Sequence, residues 1–181
     1  SHHALNRPLL ESDPTEPESV YGRTKLAGEQ EITRQTEAYQ IFRSSWIIGP
    51  FGKNFLKSMI RLMQEKEELN IVADQIGSPT YSLDLAYSIL TIIQNKKYRE
   101  YGVYNLSNSG VCSWFDLAMH IRHWGGYACE IRPIPTEEYP VAAERPNYSV
   151  MNNAKAKNQL GIQLRPWQEA VEEAMKNYFS Q

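Results

Sequence analysis

An α/β fold with parallel strand pairing is the class this sequence predicts, and three observations carry it. Short β-rich runs alternate with longer stretches of helical period, and each run is closed by Gly, Pro or polar residues. The composition, 41% hydrophobic and 22% charged over 181 residues, supplies enough apolar material for a sizeable core. No internal repeat or low-complexity tract interrupts the alternation.

Residues 1–20 read as an irregular lead-in, because Pro8, Pro14 and Pro17 punctuate it and no apolar periodicity develops. His2 and His3 are read as terminal residues, since His120 and His123 lie far away in sequence. Ser19 is a candidate N-cap for a helix from Val20 to about Tyr39, with Leu26, Ile32 and Ala38 apolar and Glu29, Glu31, Arg34 and Glu37 on the wet side. Gln40 to Ile48 is β-rich and reads as one buried strand, closed by Gly49-Pro50-Phe51-Gly52.

Asn54 to Glu67 returns to helical period through Phe55, Met59, Leu62 and Met63. A strand is expected over Leu69 to Ala73, a loop over Asp74 to Thr80 and a helix over Ser82 to Gln94. Val103 to Ser107 is another short strand, and Ser113 opens a helix running to about His123, with Asp116 completing an approximate capping box. Glu130 to Ile134 reads as an edge strand, because Pro133 and Pro135 cannot donate to a ladder. Residues 151–160 and 166–179 read as closing helices.

Charge and cysteine usage exclude several function classes. A net charge of −2 with interspersed signs leaves no basic stripe for nucleic acid. No apolar run approaches the ~20 residues that span a bilayer, so a cytoplasmic location without membrane contact is expected. Cys112 and Cys129 show no metal-ligand spacing and make no disulfide framework; both read as ordinary buried or half-buried thiols, and no metal is expected.

The chemistry-bearing stretch is Tyr21-Gly22-Arg23-Thr24-Lys25. On a helix a tyrosine and a lysine four residues apart share a face, and a nearby ammonium favours phenolate over phenol, which makes such a pair a usable proton donor and acceptor. Chance supplies this spacing about once in every two chains of this composition, so the pair alone is a weak motif.

Three polar segments follow predicted strands, where open α/β sheets collect ligands. The first carries Ser44, Ser45 and Trp46, then Gly49 to Phe55; Trp46 offers a flat face to a sugar or base or else lies in the core, and Asn54 either caps the next helix or binds a phosphate. The second is Asp74 to Thr80, a stiff polar turn with Gln75 as donor and acceptor. The third is Glu144 to Ser149, where Arg145 suits a diphosphate or an ordinary salt bridge. The ten glycines form neither G-x-x-G-x-x-G nor G-x-G-x-x-G, so the sequence shows no dinucleotide cradle.

Taken in order, Glu11-Ser12-Asp13-Pro14-Thr15-Glu16-Pro17, Tyr21 to Glu29, Arg43-Ser44-Ser45-Trp46 with Gly52 to Phe55, Asp74-Gln75-x-Gly77-x-Pro79-Thr80 and Arg145-Pro146-x-x-Ser149 resemble the dTDP-4-dehydrorhamnose reductases, extended short-chain dehydrogenase/reductases. The resemblance runs from about residue 8 to the C-terminus. It implies the C-terminal part of a Rossmann-like fold with the smaller substrate-binding subdomain: a lead-in over 1–20, the end of the Rossmann-like part over 21–60, and a mostly substrate-binding part over 61–181 whose strands return to the main sheet.

The resemblance further implies NADPH- or NADH-dependent reduction of dTDP-4-dehydro-L-rhamnose to dTDP-L-rhamnose. Tyr21 would protonate the C4 oxyanion, and Lys25 would assist it and bind the nicotinamide ribose. Trp46 would lie against the deoxysugar, with Ser44 or Ser45 beside it, and Asn54, Gln75 and Arg145 would serve the nucleotide and diphosphate. The carboxylates by which some relatives hold a metal fall at Leu83 and Asn177 here, so none is expected. The chain departs from the family in lacking the Gly-rich cofactor half and a substrate-binding Ser or Thr beside the tyrosine. It is therefore expected to be a truncated or split chain, inactive and cofactor-free alone, prone to self-association. The competing expectations are a non-catalytic sugar-nucleotide-binding or regulatory subunit of the same fold, and an epimerase or dehydratase using the same Tyr and Lys.

Overall fold

The structure is a computed structural model and describes residues 7–139 and 146–180. The lead-in is irregular but tied down. Arg7 grips Asp13 through two hydrogen bonds of 2.9 and 2.7 Å, Leu9 bridges Met151, and Glu11 Oε1 accepts from Asn105 N at 2.8 Å.

Helix α1 (Val20–Gln35) starts where Ser19 Oγ accepts from Gly22 N at 3.0 Å. It stops short of the expected Tyr39, because Thr36 turns extended (φ −155°) and its hydroxyl accepts from Ala38 N, a local bond that competes with the helix. No residue of α1 is buried. Arg43 tethers it through both oxygens of Glu29, at 2.9 and 2.6 Å.

The expected single strand over 40–48 is divided into β1 (Gln40–Arg43) and β2 (Ile47–Ile48). Between them Trp46 sits at φ +45°, a left-handed conformation costly for a bulky side chain. Then follow α2 (Phe55–Glu65), β3 (Glu68–Val72), β4 (Ile76–Gly77), β5 (Thr80–Tyr81), α3 (Ser82–Gln94), β6 (Gly102–Asn105), β7 (Cys112–Ser113), α4 (Trp114–Gly125), β8 (Glu130–Ile134), β9 (Tyr148–Ser149) and α5 (Trp167–Phe179). The Ser113/Asp116 capping box at the start of α4 is formed. The expected helix over 151–160 is shortened to 154–160, π-type over Ala156–Leu160, and stopped by Gly161 at φ +72°.

Strand pairing is mostly parallel. β1 pairs with β6, β2 with β5, and β3 with β8 in register from Glu68 opposite Glu130 to Val72 opposite Ile134. β4 lies between antiparallel β7 and parallel β9, so the segment expected to be a loop over 74–80 is partly sheet. Its two-residue strands carry no alternation of their own; their partners define them.

The main core forms where helical period meets these strands. Leu56, Met59, Ile60 and Met63 share one face of α2, Leu117, Ala118 and Ile121 one face of α4, and Ala170, Val171 and Ala174 one face of α5. They close over Leu69, Ile71 and Ile131 of β3 and β8, each large side chain contributing roughly 1.5–3 kcal/mol. A smaller cluster of Tyr104, Leu106, Ile92, Leu160 and Leu164 lies around β6.

Around β1 and β6 the layering is open. Parallel sheets are normally covered on both faces, yet among the described residues β1 pairs only with β6. α1 has no buried residue, and α3 turns Tyr87, Leu90 and Ile93 to solvent, each more than half exposed. Among the described residues no helix is long and apolar enough to cross a membrane.

Candidate active site

Tyr21 and Lys25 stand on the first turns of α1, with Lys25 Nζ 5.4 Å from the centre of the Tyr21 ring. The ammonium therefore lies over the ring face, a cation–π geometry. Tyr21 is 73% exposed, and among the described residues its hydroxyl has no hydrogen-bond partner. Among the described residues no hydrogen bond or ring contact joins this pair to Ser44, Ser45, Trp46, Asn54 or Gln75.

That second group is built around Trp46. Its ring lies parallel to Trp114, centroids 3.6 Å apart and planes 11° from parallel, and Phe55 tilts against Trp114 at 4.6 Å. Gly77 makes room for it: a methyl group there would lie 2.5 Å from Trp46 Cε2 and 2.7 Å from Ser149 Oγ. Gly77 of the Asp-Gln-x-Gly block and Ser149, which closes the third polar segment, thus meet beside Trp46, because β9 brings Ser149 next to Gly77.

Gly77→Ala is expected to destabilise the protein by about 1–3 kcal/mol, because the side chains around it leave no free volume. Thermal unfolding checks the loss, and near-ultraviolet circular dichroism should change with it, since the ring that must give way is an indole. An unchanged melting temperature and aromatic spectrum would contradict this packing.

Gln75 is buried, with both ends of its amide engaged. Trp114 Nε1 donates to Gln75 Oε1 at 3.2 Å, and Gln75 Nε2 donates to Thr136 Oγ1 at 3.2 Å. Thr136 gives its hydroxyl and backbone N–H to the two oxygens of Asp74, at 2.6 and 2.9 Å, which holds that carboxyl below its ordinary range.

The serines are also engaged. Ser44 Oγ donates to Leu106 O at 2.9 Å and Ser45 Oγ to Ser78 O at 2.7 Å, clamping the turn that presents Trp46. Asn54, read as a helix cap or a phosphate ligand, caps α2: its Oδ1 accepts from Lys57 N, while Nδ2 donates to Gly49 O and Phe51 O. Arg145 lies outside the described residues.

Beside the aromatic group lies a cleft of about 510 Å³ between α2, β3 and the start of α4, lined by Phe55, Met59, Arg61, Asn70, Gln75 and Trp114 among others. The size and the mix of aromatic, apolar and polar walls suit a nucleoside-sized ligand. Sequence reasoning missed Trp114 and Arg61 here. Trp114 stood in the sequence only as the first residue after a helix cap, and nothing local marks it as the partner of an indole 68 positions earlier.

Both thiols are free and buried, and burial raises their pKa values, so neither is poised as a nucleophile. Among the described residues no group of three or more His, Cys, Asp or Glu is placed to hold a metal. Asn177 donates to the Tyr81 hydroxyl at 2.8 Å.

Residues 4–180 match the family model described as the RmlD substrate binding domain. The chain is 39% identical over 170 residues to the spore coat polysaccharide biosynthesis protein SpsK of Bacillus subtilis, covering 94% of this chain and 58% of that protein. It superposes on a dTDP-4-dehydrorhamnose reductase from Clostridium acetobutylicum with a TM-score of 0.90 and 37% identity, covering 97% of this chain and 61% of that one. A second such reductase, from Bacillus anthracis in complex with NADP, gives a TM-score of 0.85 at 39% identity, with 93% and 58% coverage. The chain therefore spans about three fifths of the length of the relatives it matches.

Proposed function

Because the chain belongs to the RmlD substrate-binding-domain family, we propose that it is the substrate-binding and proton-donating portion of an NAD(P)H-dependent reductase that converts dTDP-4-dehydro-L-rhamnose to dTDP-L-rhamnose. The observation that carries this reading is the Tyr21–Lys25 pair, solvent-exposed and with its hydroxyl uncommitted within a chain of this family. Such a reductase works in the cytoplasm on a soluble nucleotide sugar, and nothing in its chemistry requires nucleic acid or a membrane.

The cofactor fits this chain at one end only. Tyr21 and Lys25 suit the nicotinamide ribose, whereas the sequence holds no glycine-rich turn for a pyrophosphate. The cradle belongs, in this reading, to the part of the relatives that the match leaves uncovered, and that part docks on α1, the edge of β1 that no described strand pairs, and the apolar outer face of α3. Residues 21–60 then form the end of the cofactor-binding half and residues 61–181 most of the substrate part.

When bound, NAD(P)H supplies the hydride taken up at C4 of the keto sugar. The Tyr21 hydroxyl gives its proton to the C4 oxygen as the carbonyl becomes an alcohol, and Lys25 stabilises the phenolate left behind. Trp46 lies against the deoxysugar, with Ser44 and Ser45 fixing the turn that presents it. The nucleotide occupies the cleft walled by Phe55, Gln75 and Trp114, and Arg145 serves the diphosphate. Asn54 acts by holding the turn before α2 in shape.

Calorimetric titration of the 181-residue chain with dTDP and, separately, with NADPH tests the division of labour. Saturable dTDP binding is expected, with none for NADPH and no NADPH oxidation when dTDP-4-dehydro-L-rhamnose is added. Absence of dTDP binding would sink the substrate assignment, and NADPH turnover by this chain alone would sink the split.

A further inference from the structure

The indole of Trp114 is a shared wall. It is stacked on Trp46 at 3.6 Å, and the same ring lines the cleft of about 510 Å³ together with Phe55. Its orientation does not depend on stacking alone, because Nε1 donates to Gln75 and Gln75 is in turn held by Thr136 on Asp74. Gln75 is 4% exposed, and a buried amide with both ends satisfied has one orientation.

Trp46 is constrained from its own side as well. Its backbone is left-handed, and the close approach of Gly77 leaves its ring no room there. Rings packed at van der Waals distance have no slack to move independently. The only described hydrogen-bonding side chain that fixes the Trp114 indole in its plane is therefore Gln75, two residues from Gly77 in the same turn.

We propose that Trp114 and Gln75 are positioning residues that set the orientation of Trp46 and link it to occupancy of the cleft. A ligand seated in the cleft bears on Trp114, and any tilt of Trp114 is passed to the ring stacked on it. The two ends of one substrate would then be sensed together: a base or nucleoside group in the cleft helps set the aromatic surface that meets the sugar. This rests on the proposed function only for the identity of the ligand, not for the coupling.

The stacked pair provides its own readout, since two parallel indoles in contact give an exciton couplet in far-ultraviolet circular dichroism. In the 181-residue chain, dTDP is expected to change this couplet along the same saturation curve that calorimetry records. Trp114→Phe should abolish the couplet, and Gln75→Leu should remove most of it and weaken dTDP binding about tenfold, roughly what one lost well-placed contact costs. Thr136→Val, which takes from the buried Gln75 amide its acceptor, should reduce the couplet and also lower stability, so the spectrum is read well below the variant's melting temperature.

A couplet that survives both Gln75→Leu and Thr136→Val in folded protein would overturn the positioning role. A couplet blind to dTDP at calorimetric saturation would overturn the link. Should dTDP fail to bind at all while Gln75→Leu and Thr136→Val still diminish the couplet, the positioning role stands and the ligand assignment falls.

Discussion

Tyr21→Phe is expected to lower turnover of the assembled reductase, this chain together with its cofactor-binding half, by about 10²–10⁴-fold, the usual share of a positioned general acid. The substitution removes one oxygen. Tyr21 is 73% exposed and its hydroxyl bonds to no described residue, so stability should change by no more than ~0.5 kcal/mol. The Lys25 ammonium keeps the ring face it lies over, because phenylalanine presents the same face.

The kinetic pattern separates proton donation from binding. An interaction made only in the transition state lowers kcat and kcat/KM alike, while lost uniform binding raises KM at constant kcat. The expected result is the first pattern, with calorimetric affinity for dTDP unchanged. Normal kcat in the Phe variant would show that another group protonates the C4 oxygen.

The parts of the fold legible in the sequence are those whose signal is local. α2 and α3 follow from apolar residues recurring at helical spacing, and β8 from a short β-rich run punctuated by Pro133 and Pro135. The cap of α4 was written in Ser113 and Asp116. What stayed hidden is decided by distant partners. The run Gln40–Ile48 has uniform strand composition, but its halves pair with β6 and β5, and the break at Trp46 has no glycine to announce it. The segment 74–80 reads as a polar turn, and only the arrival of residues 112–113 and 148–149 makes part of it sheet.

The candidate site divides in the same way. Tyr21 and Lys25 are four residues apart and visible as a motif, and so are Trp46 and Gln75 as members of blocks. The environment that gives Trp46 its orientation comes from Gly77, Trp114 and Ser149, brought together by strand pairing that no local pattern encodes. The solvent exposure of α1 was likewise unreadable. Its sequence has a polar face and scattered apolar residues, and nothing in it says that all of them remain outside the core.

Asp84→Ala is expected to cost about 2–3 kcal/mol, lowering the melting temperature by roughly 5–10 °C for a chain of this size. Asp84, at the start of α3, accepts from Arg165 Nε at 2.9 Å and Nη2 at 2.7 Å, and from Asn108 Nδ2 at 2.7 Å. Asn108 is fully buried and turns its other end to Tyr81 N at 2.8 Å, while Arg165 also holds Glu173 of α5. One carboxylate thus fixes α3, α5, β5 and the turn after β6. Both neighbouring carboxylates raise the Arg165 pKa, so the guanidinium stays charged whatever happens to Asp84.

Removing Asp84 leaves that charge with Glu173 alone and deprives the buried Asn108 amide of its shortest bond. A fully buried pair broken this way costs 3–5 kcal/mol, and the lower figure here reflects the 30% exposure of the Arg165 side chain. Arg61→Ala is the control, since the exposed Arg61–Glu65 pair on α2 should cost ~0.5 kcal/mol or less. Because Tyr81 is only four residues beyond Gly77, loosening this cluster should also free the turn that packs Trp46, and dTDP binding should weaken together with stability. Equal costs for Asp84→Ala and Arg61→Ala would show that the cluster does not hold these elements together.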